Sequence, residues 1–323
     1  MERQGMSRRG FLVAAGTIAA TGALAGASRG AAPAPSSAVR FGVTAQQGAS
    51  FPEILGFWRT AERLGFGSAF VYDHFMAMAP GSPQAERCME AWTLLSALAA
   101  KTRRIDLGTL VTGNTYRHPA VLAKMAATVD QVSGGRLILG IGAGWLEREH
   151  VAYGIPFYTK AGRARRLAES VEAIAALLTQ ERSNFTGKYV ALKDAPCEPK
   201  PVQKPHLRLL VGGVGPKVVI PLAARHADVW HFVAKGNDPA EVRRLCEDFD
   251  RQCVAAGRDP HAVEKATSLV PQLASTPARD VRAQLHALVD AGIRHFVIGP
   301  PPGNDRGVLR WFATEILPDF RTA

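Results

Sequence analysis

Residues 105–141 have the sequence IDLGTLVTGNTYRHPAVLAKMAATVDQVSGGRLILGI, which contains one complete strand–helix–strand unit. The apolar run Ile105–Thr109 is followed by the helical pattern Pro119–Val132 and then by a second apolar run, Leu137–Ile141. Apolar runs of this length, bounded by Gly or Asp, predict strands that are buried on both faces. A helix between two such strands predicts a parallel pair joined by a helical crossover.

The same alternation continues in both directions from this unit. The predicted strands are Val39–Thr44, Ser68–Tyr72, Ile105–Thr109, Leu137–Ile141, Leu207–Val211, Val229–Phe232, Lys265–Val270 and His295–Ile298. The predicted helices are Pro52–Leu64, Met89–Lys101, Pro119–Val132, Arg163–Leu178, Lys217–His226, Pro239–Ala256, Ala278–Ala291 and Val308–Leu317. Eight strand–helix units that close on themselves form a (β/α)8 TIM barrel, an α/β fold. A doubly wound sheet is the alternative, but it has fewer strands and fits this chain less well.

Two segments interrupt the repeat without dividing the chain into domains. Phe75–Arg87, after the second strand, is predicted to be a long loop, and Asn184–Lys204 a short hairpin with a Pro-rich connection. No low-complexity linker separates parts of the body. We therefore expect residues 39–323 to form one domain.

Composition narrows the class of protein. The chain has 323 residues, of which 47% are hydrophobic, which suits one large barrel. The formal net charge is +11, yet the basic residues are scattered and form no long run interleaved with aromatic residues. This distribution argues against nucleic-acid binding, and the basic charge favours an anionic small molecule as the ligand.

The N-terminus has the pattern of a twin-arginine export signal. Arg8 and Arg9 precede a mildly apolar stretch, Val13–Ala25, which is followed by small residues suited to cleavage. This stretch is too short and too rich in Gly for a spanning helix, which needs about 20 apolar residues. We expect residues 1–38 to be a cleaved signal and short linker. Export by the twin-arginine machinery would place the protein in the periplasm, the cell envelope or the extracellular space.

The sequence contains no recognisable metal motif. The four cysteines form no Cys-x-x-Cys pair and are interpreted as buried thiols, although an oxidising compartment permits other pairings: Cys88, Cys197, Cys246 and Cys253. Glu147 and His150, three residues apart, resemble half of a metal site, but no second pair accompanies them. We therefore predict no metal site.

Candidate functional residues follow the predicted strands, because TIM-barrel active sites lie at the C-terminal ends of strands. His74 can move a proton near neutral pH, and Asp73 beside it is ionisable. The alternative is that this pair caps the next segment. Gly140–Gly144 and Gly212-Gly213 could bring backbone N–H groups close to a phosphate or a ring. The first of these ends the fourth strand and lacks the acidic partner of a dinucleotide fold, while the second could equally be a tight turn.

These segments together resemble the bacterial-luciferase-like monooxygenase family, in particular its coenzyme F420-dependent oxidoreductase branch. The stretches that carry the resemblance include Val71–Phe75, Leu107–Ala120, Ser133–Trp145, Leu210–Gly213 and Ala227–Trp230. The likeness extends over nearly all of residues 39–320, and the motifs are specific only in combination.

The resemblance implies a luciferase-like TIM barrel that holds its cofactor at the strand ends. It implies that Asp73 and His74 lie beside the redox-active ring, with His74 as the proton donor or acceptor. It also implies a non-prolyl cis peptide between Leu110 and Val111, in a bulge behind the ring. Further cofactor contacts, of which the last two lie toward the phosphate tail, are implied at Gly142, Ala143, Gly144, Trp145, Gly212 and Gly213.

The leading expectation is an F420-dependent enzyme that transfers a hydride between the deazaflavin ring and an unidentified organic substrate. One alternative is an FMN-dependent monooxygenase of the same fold, and another is an exported, non-catalytic cofactor- or ligand-binding protein. The family also suggests a homodimer. The segment Thr267–Arg279 is shorter than in relatives, so the substrate pocket is not predicted from the family.

Overall fold

The computed structural model describes residues 38–77, 87–269 and 275–320. Eight parallel strands form a closed barrel, because each pairs with the next and the first pairs with the last. The barrel strands are β1 (Arg40–Thr44), β2 (Ser68–Val71), β3 (Asp106–Thr109), β5 (Leu137–Gly142), β8 (Arg208–Gly212), β9 (Val229–Phe232), β10 (Glu264–Leu269) and β11 (His295–Ile298). The predicted TIM barrel is confirmed.

Helices connect the barrel strands and surround them. They are α1 (Phe51–Leu64), α2 (Ala91–Lys101), α3 (Pro119–Ser133), α4 (Glu147–Ala152), α5 (Lys160–Thr179), α6 (Val219–His226), α7 (Pro239–Ala255), α8 (Ala278–Asp290) and α9 (Arg306–Glu315). None of the helices in the described ranges is both long and apolar enough to cross a membrane.

Three short strands lie outside the eight-strand repeat. The two-residue strand β4 (Thr112–Gly113) pairs with β5 beside the end of β3. Strands β6 (Ser183–Thr186) and β7 (Ala191–Ala195) form the predicted antiparallel hairpin.

Most predicted bounds differ from the observed ones by a few residues at the ends. Helix α4 (Glu147–Ala152) was not predicted, because six residues are too few for a helical period to be recognised. The predicted strand end Val270 lies outside the described residues, as do residues 1–37 of the signal segment and 78–86 of the long loop. Residues 78–86 and 270–274 follow β2 and β10 in the sequence.

The interior of the barrel has its own apolar layer, separate from the core under the helices. Alternate residues of a strand face opposite sides of the sheet. Ala69, Leu139 and Trp230 face outward and belong to the larger core. Their sequence neighbours Phe70, Ile138 and Val229 face inward. These three belong to a second cluster that also contains Leu110, Leu210, Ala266 and Val297.

Charged side chains fill the N-terminal end of the barrel. Arg40 Nη2 lies 2.6 Å from Asp106 Oδ2, and Arg208 Nη2 lies 2.8 Å from Asp106 Oδ1. Arg40 Nη1 also lies 3.2 Å from Glu264 Oε2. Burial opposes ionisation of Glu264, but His295 and the two arginines outweigh it and lower the pKa of Glu264 to about 2. The described barrel is thus filled at its lower end by ion pairs and in its middle by apolar side chains.

Two glycines allow strands β3 and β5 to approach each other closely. A Cβ atom on Gly140 would lie 1.8 Å from the carbonyl oxygen of Thr109, and one on Gly108 would lie 2.2 Å from that of Ile138. Neither contact is possible without moving a strand. Gly140, the first glycine of the segment Gly140–Gly144, therefore has a packing role.

We expect Gly140→Ala to destabilise the protein by about 3 kcal/mol, because the added methyl group overpacks the β3–β5 seam. Gly67→Ala is the control, since the nearest atom to its Cβ would be 3.6 Å away. The free energy of unfolding, measured by urea denaturation, checks both variants. Equal stability of the two variants would contradict this account of the seam.

Candidate active site

A cavity of about 520 Å³ lies at the C-terminal end of the barrel, a volume typical of small-molecule sites. All ten residues proposed from the sequence line its wall: Asp73, His74, Leu110, Val111, Gly142, Ala143, Gly144, Trp145, Gly212 and Gly213. The structure therefore brings these residues together, while their binding roles stay predictions. The wall also contains residues that were not proposed: Tyr72, Gly113, Tyr116, His231, Phe232, Val233 and Ser268.

The imidazole of His74 is held from behind by a buried carboxylate. His74 Nδ1 lies 2.8 Å from Glu149 Oε2, and the side chain of Glu149 is 0% exposed. An ionised carboxylate can only accept a hydrogen bond, so His74 donates through Nδ1–H. Among the described residues none bonds to Nε2 of His74, so this nitrogen is left for a ligand in the cavity.

Glu149 receives three further hydrogen bonds. The backbone N–H groups of Phe75 and Met76 donate to Oε1 over 2.8 and 3.0 Å, and the Tyr116 hydroxyl donates to Oε2. Burial opposes ionisation, but the bonds from His74, Tyr116 and Met76 outweigh it and lower the pKa of Glu149 to about 2. Burial and the bond to Glu149 raise the pKa of Tyr116. Glu149 is therefore ionised and Tyr116 neutral at physiological pH.

Asp73 is held by an arginine rather than being free for proton transfer. Arg117 Nη1 donates to Asp73 Oδ2 over 2.6 Å, and Nη2 donates to Oδ1 over 3.1 Å. Burial raises the pKa of Asp73 although the Arg117 guanidinium opposes this shift. Arg117 also donates to Glu90, which accepts from the first N–H groups of α2. This geometry favours a positioning role for Asp73 and leaves proton transfer to His74.

One side of the cavity is formed by the bulge between β3 and β4. The Leu110–Val111 peptide is cis, as the family resemblance implied. The Val111 side chain lies between two glycines, because a Cβ atom on Gly142 would be 2.7 Å from Val111 Cγ2 and one on Gly212 would be 3.0 Å from Val111 Cγ1. Glycine at the ends of β5 and β8 therefore makes room for the bulge.

Two further glycines shape the wall through their backbone conformation. Gly144 has φ 80° and Gly213 has φ 124°, and residues other than glycine rarely adopt these backbone conformations. After Gly144 the chain presents Trp145, which is 60% exposed and packs edge-on against His74 with ring centroids 5.8 Å apart. Both glycine segments therefore form backbone turns at the rim, and their role as cofactor cradles stays a prediction.

A second histidine stands on the opposite wall. β9 and β2 are four strands apart around the ring of eight, so His231 faces the side that carries His74. His231 Nε2 lies 2.9 Å from Ser268 Oγ. Burial, together with the nearby His295, lowers the pKa of His231 to about 3. His231 is therefore neutral at physiological pH.

The surroundings of Glu147 and His150 do not support the interpretation of this pair as half of a metal site. Glu147 is exposed, whereas His150 is buried, with Nε2 2.7 Å from Thr115 Oγ1 and Nδ1 2.8 Å from the Leu146 carbonyl oxygen. Both ring nitrogens are thus engaged in the protein. The described residues include no group of His, Cys, Asp or Glu arranged to hold a metal ion. All four cysteines are free, with Cys88 half-buried and the other three buried.

Glu149 is the main residue that sequence reasoning missed. It lies two residues from Glu147, in a helix that was not recognised, so nothing marked which acidic residue faces inward. Tyr116 and Arg117 stand within the strand-3 motif and were quoted without a role. Residues that follow every barrel strand converge on one site, and this rule could have identified Tyr116 and Arg117 as candidates.

We expect Glu149→Gln to destabilise the protein by about 3 kcal/mol at pH 7, because a pKa lowered from 4.5 to about 2 stabilises the ionised native state. This contribution is fully present above pH 4.5 and is lost as the pH falls toward 2, so the difference should be roughly halved at pH 3. Urea denaturation at both pH values measures it. The exposed Glu172→Gln is the control, and a penalty for Glu149→Gln that does not change with pH would refute the argument.

The comparisons with known proteins agree with the observed fold. Residues 36–316 match the family model of luciferase-like monooxygenases. An F420-dependent glucose-6-phosphate dehydrogenase of Intrasporangium calvum is 36% identical over 319 residues, covering 81% of this chain and 92% of that protein. An FMNH2-dependent dimethylsulfone monooxygenase of Pseudomonas putida is 30% identical over 232 residues, covering 71% of this chain and 61% of that protein.

A solved structure has the same fold. The coenzyme F420-dependent tetrahydromethanopterin reductase of Methanopyrus kandleri superposes with a TM-score of 0.75 at 20% identity, covering 88% of this chain and 100% of that one. With the family model covering most of the sequence, this chain belongs to the luciferase-like monooxygenase family of oxidoreductases.

Proposed function

We propose that the protein is a coenzyme F420-dependent oxidoreductase that transfers a hydride between the deazaflavin ring and an organic substrate. The observation that carries this proposal is the imidazole of His74, held by Glu149 through Nδ1 and left with Nε2 at the cavity. The relative from Intrasporangium calvum supports the choice of cofactor, because the match covers 92% of a protein named for F420.

The residues present fit a planar redox cofactor. Leu110 and Val111 form an apolar wall, and the glycine ends of β5 and β8 add backbone without side chains beside it. The turn at Gly213, with its positive φ, leads away from the cavity into α6. Leu110 and Val111 would hold the ring, and the backbone at Gly212 and Gly213 would hold the longer tail.

When it is bound, the cofactor supplies hydride transfer, which no amino-acid side chain can perform. The chain's own residues handle the proton and the geometry. At Nε2, His74 accepts a proton from the substrate oxygen or donates one to it, and Glu149 fixes the orientation of the ring through Nδ1. The ion pair between Asp73 and Arg117 fixes the chain just after β2, next to His74.

An FMN-dependent monooxygenase is the second candidate. The Pseudomonas putida relative, named for FMNH2, is 30% identical and supports it. The wall formed by the bulge and the glycines would accept either ring, so direct binding has to separate the two candidates.

We expect the full chain to bind F420 with a dissociation constant in the micromolar range or below, and FMN at least about tenfold more weakly. Fluorescence titration of each cofactor with the protein measures both constants. Preferential binding of FMN would move the assignment to the monooxygenase. If neither cofactor bound to the folded protein, the proposed function would be wrong.

We expect His74→Ala to bind F420 as the wild type does but to react about 100-fold more slowly, because general acid–base groups contribute about this factor. The control is His261→Ala, because His261 is exposed and lies in the turn before β10. This substitution should leave the rate unchanged. Single-turnover absorbance of the cofactor measures the rate once a substrate is in hand. An unchanged rate in His74→Ala would remove His74 from the mechanism.

Export and assembly stay predictions. Export rests on the residues of segment 1–38 alone, and immunodetection of the chain in separated cell fractions would check it. The homodimer rests on the family alone, and light scattering would check it.

A further inference from the structure

We infer that the start of helix α5 carries a cationic surface that binds the anionic tail of the cofactor outside the cavity. This surface, called the α5 surface below, consists of Lys160, Arg163 and Arg166 of α5 and Lys188 of the turn between β6 and β7. The inference rests on the proposed function, and it assigns a tail-binding role to residues that do not line the cavity.

Three of these cations lie on one face of the helix. Lys160, Arg163 and Arg166 follow one another at intervals of three residues, and side chains at this spacing are neighbours on a helix. They span about 9 Å along the helix axis, given a rise of about 1.5 Å per residue. The row therefore forms an extended strip of positive charge rather than a single point.

Arg163 joins the α5 surface to the cavity wall. Its Nε atom donates to the Gly144 carbonyl oxygen over 3.0 Å, and Gly144 lines the cavity. Gly142, two residues earlier, is paired in the sheet with Gly212, where the tail is proposed to bind. The proposed tail site at Gly212 and the α5 surface therefore belong to the same part of the rim.

Aromatic side chains hold these cations in place. Arg166 Cζ lies 5.3 Å from the centroid of the Tyr158 ring, and Lys188 Nζ lies 5.7 Å from that of the Tyr189 ring. The two tyrosine rings pack edge to face with centroids 5.7 Å apart, so they connect the hairpin to α5. Arg163 also donates to the Tyr158 carbonyl oxygen. The hairpin lysine and the α5 arginines thus belong to one surface.

The cations of the α5 surface have no acidic partner in the described part of the chain. None of the four forms an ion pair there. Glu169 stands at the next position of the row, but its carboxylate accepts hydrogen bonds from the backbone N–H groups of residues 188–190. The surface therefore keeps an excess of positive charge.

The guanidinium of Arg166 also lacks a hydrogen-bond acceptor. Its Nε atom is buried and has no partner among the described residues. A buried donor costs free energy until an acceptor satisfies it. Carboxylate and phosphate oxygens are the acceptors that match a guanidinium group in charge and geometry. Arg166 is therefore suited to bind an anionic group of a ligand.

The tail of F420 has the matching chemistry. It carries a phosphate and glutamate carboxylates, whereas FMN ends in a single phosphate. Several anionic groups on one chain can contact several cations of the strip at once, and a surface of one charge sign attracts such a ligand. The α5 surface would thus contribute to the proposed preference for F420 over FMN.

The test compares F420 with its tail-free form, a deazaflavin with the same ring and ribityl chain but neither phosphate nor glutamates. Fluorescence titration of the full chain measures both dissociation constants at about 50 and about 300 mM NaCl. F420 should bind at least about tenfold more tightly at the lower salt concentration, and this difference should shrink at the higher one, because salt screens exposed charges. The affinity of the tail-free form should not depend on salt.

Paired substitutions locate the effect. Lys160→Gln combined with Arg166→Gln should weaken F420 binding about tenfold, since each surface charge contact contributes a factor of up to about five. Binding of the tail-free form should not change, and Arg163 is kept because it holds the Gly144 turn. The control is Arg103→Gln combined with Arg104→Gln, which removes two exposed charges between α2 and β3, at the N-terminal end of the barrel. This control should bind F420 as the wild type does.

Equal affinity of the wild type for F420 and the tail-free form would overturn the inference, as would unchanged F420 binding by the Lys160–Arg166 double variant. A double variant that loses affinity for both deazaflavins would also contradict it, because the cavity rather than the tail contact would then be affected. Failure of the proposed function has a different signature: neither deazaflavin binds to the wild type although circular dichroism shows that it is folded, and the inference is then wrong as well.

Discussion

The hydrogen bond between His74 Nδ1 and the buried carboxylate of Glu149 organises the site. Through Glu149 the end of β2, the loop after β4 and helix α4 are joined at one point, because its two oxygens accept from His74, the backbone N–H groups of Phe75 and Met76, and Tyr116. A buried carboxylate is costly unless its lone pairs are satisfied. Here four donors satisfy it, so the arrangement is held in place and His74 has a defined orientation.

A second constraint is the close approach of backbone at the ends of β3, β5 and β8. Gly140 allows β3 and β5 to touch, and Gly142 and Gly212 leave room for Val111. The bulge at Leu110–Val111 then forms a smooth apolar wall across the cavity from the strands that carry His231 and Ser268. The barrel below is filled with apolar and charged side chains, so binding is directed to the upper end.

The alternation of strands and helices was readable from the sequence, because short apolar runs between Gly, Asp and Pro have few other interpretations. The strand-end rule then placed His74, the glycines and Trp145 around one cavity. It did not identify Glu149, because inward orientation in a six-residue helix depends on packing and not on a local pattern. It also missed the ion pairs of Arg40, Asp106 and Glu264, since charged residues at the start of buried strands look like strand boundaries.

The central claim is that His74 presents Nε2 to a ligand while Glu149 holds Nδ1–H. Long-range ¹H–¹⁵N NMR spectra of histidine-labelled protein, with His74→Gln to assign the resonances, measure the proton position directly. The account predicts a neutral ring protonated at Nδ1 or a fully protonated imidazolium, with the Nε2 resonance shifting when F420 is added. A neutral ring that carries its proton on Nε2, or resonances of His74 that do not respond to F420, would contradict it.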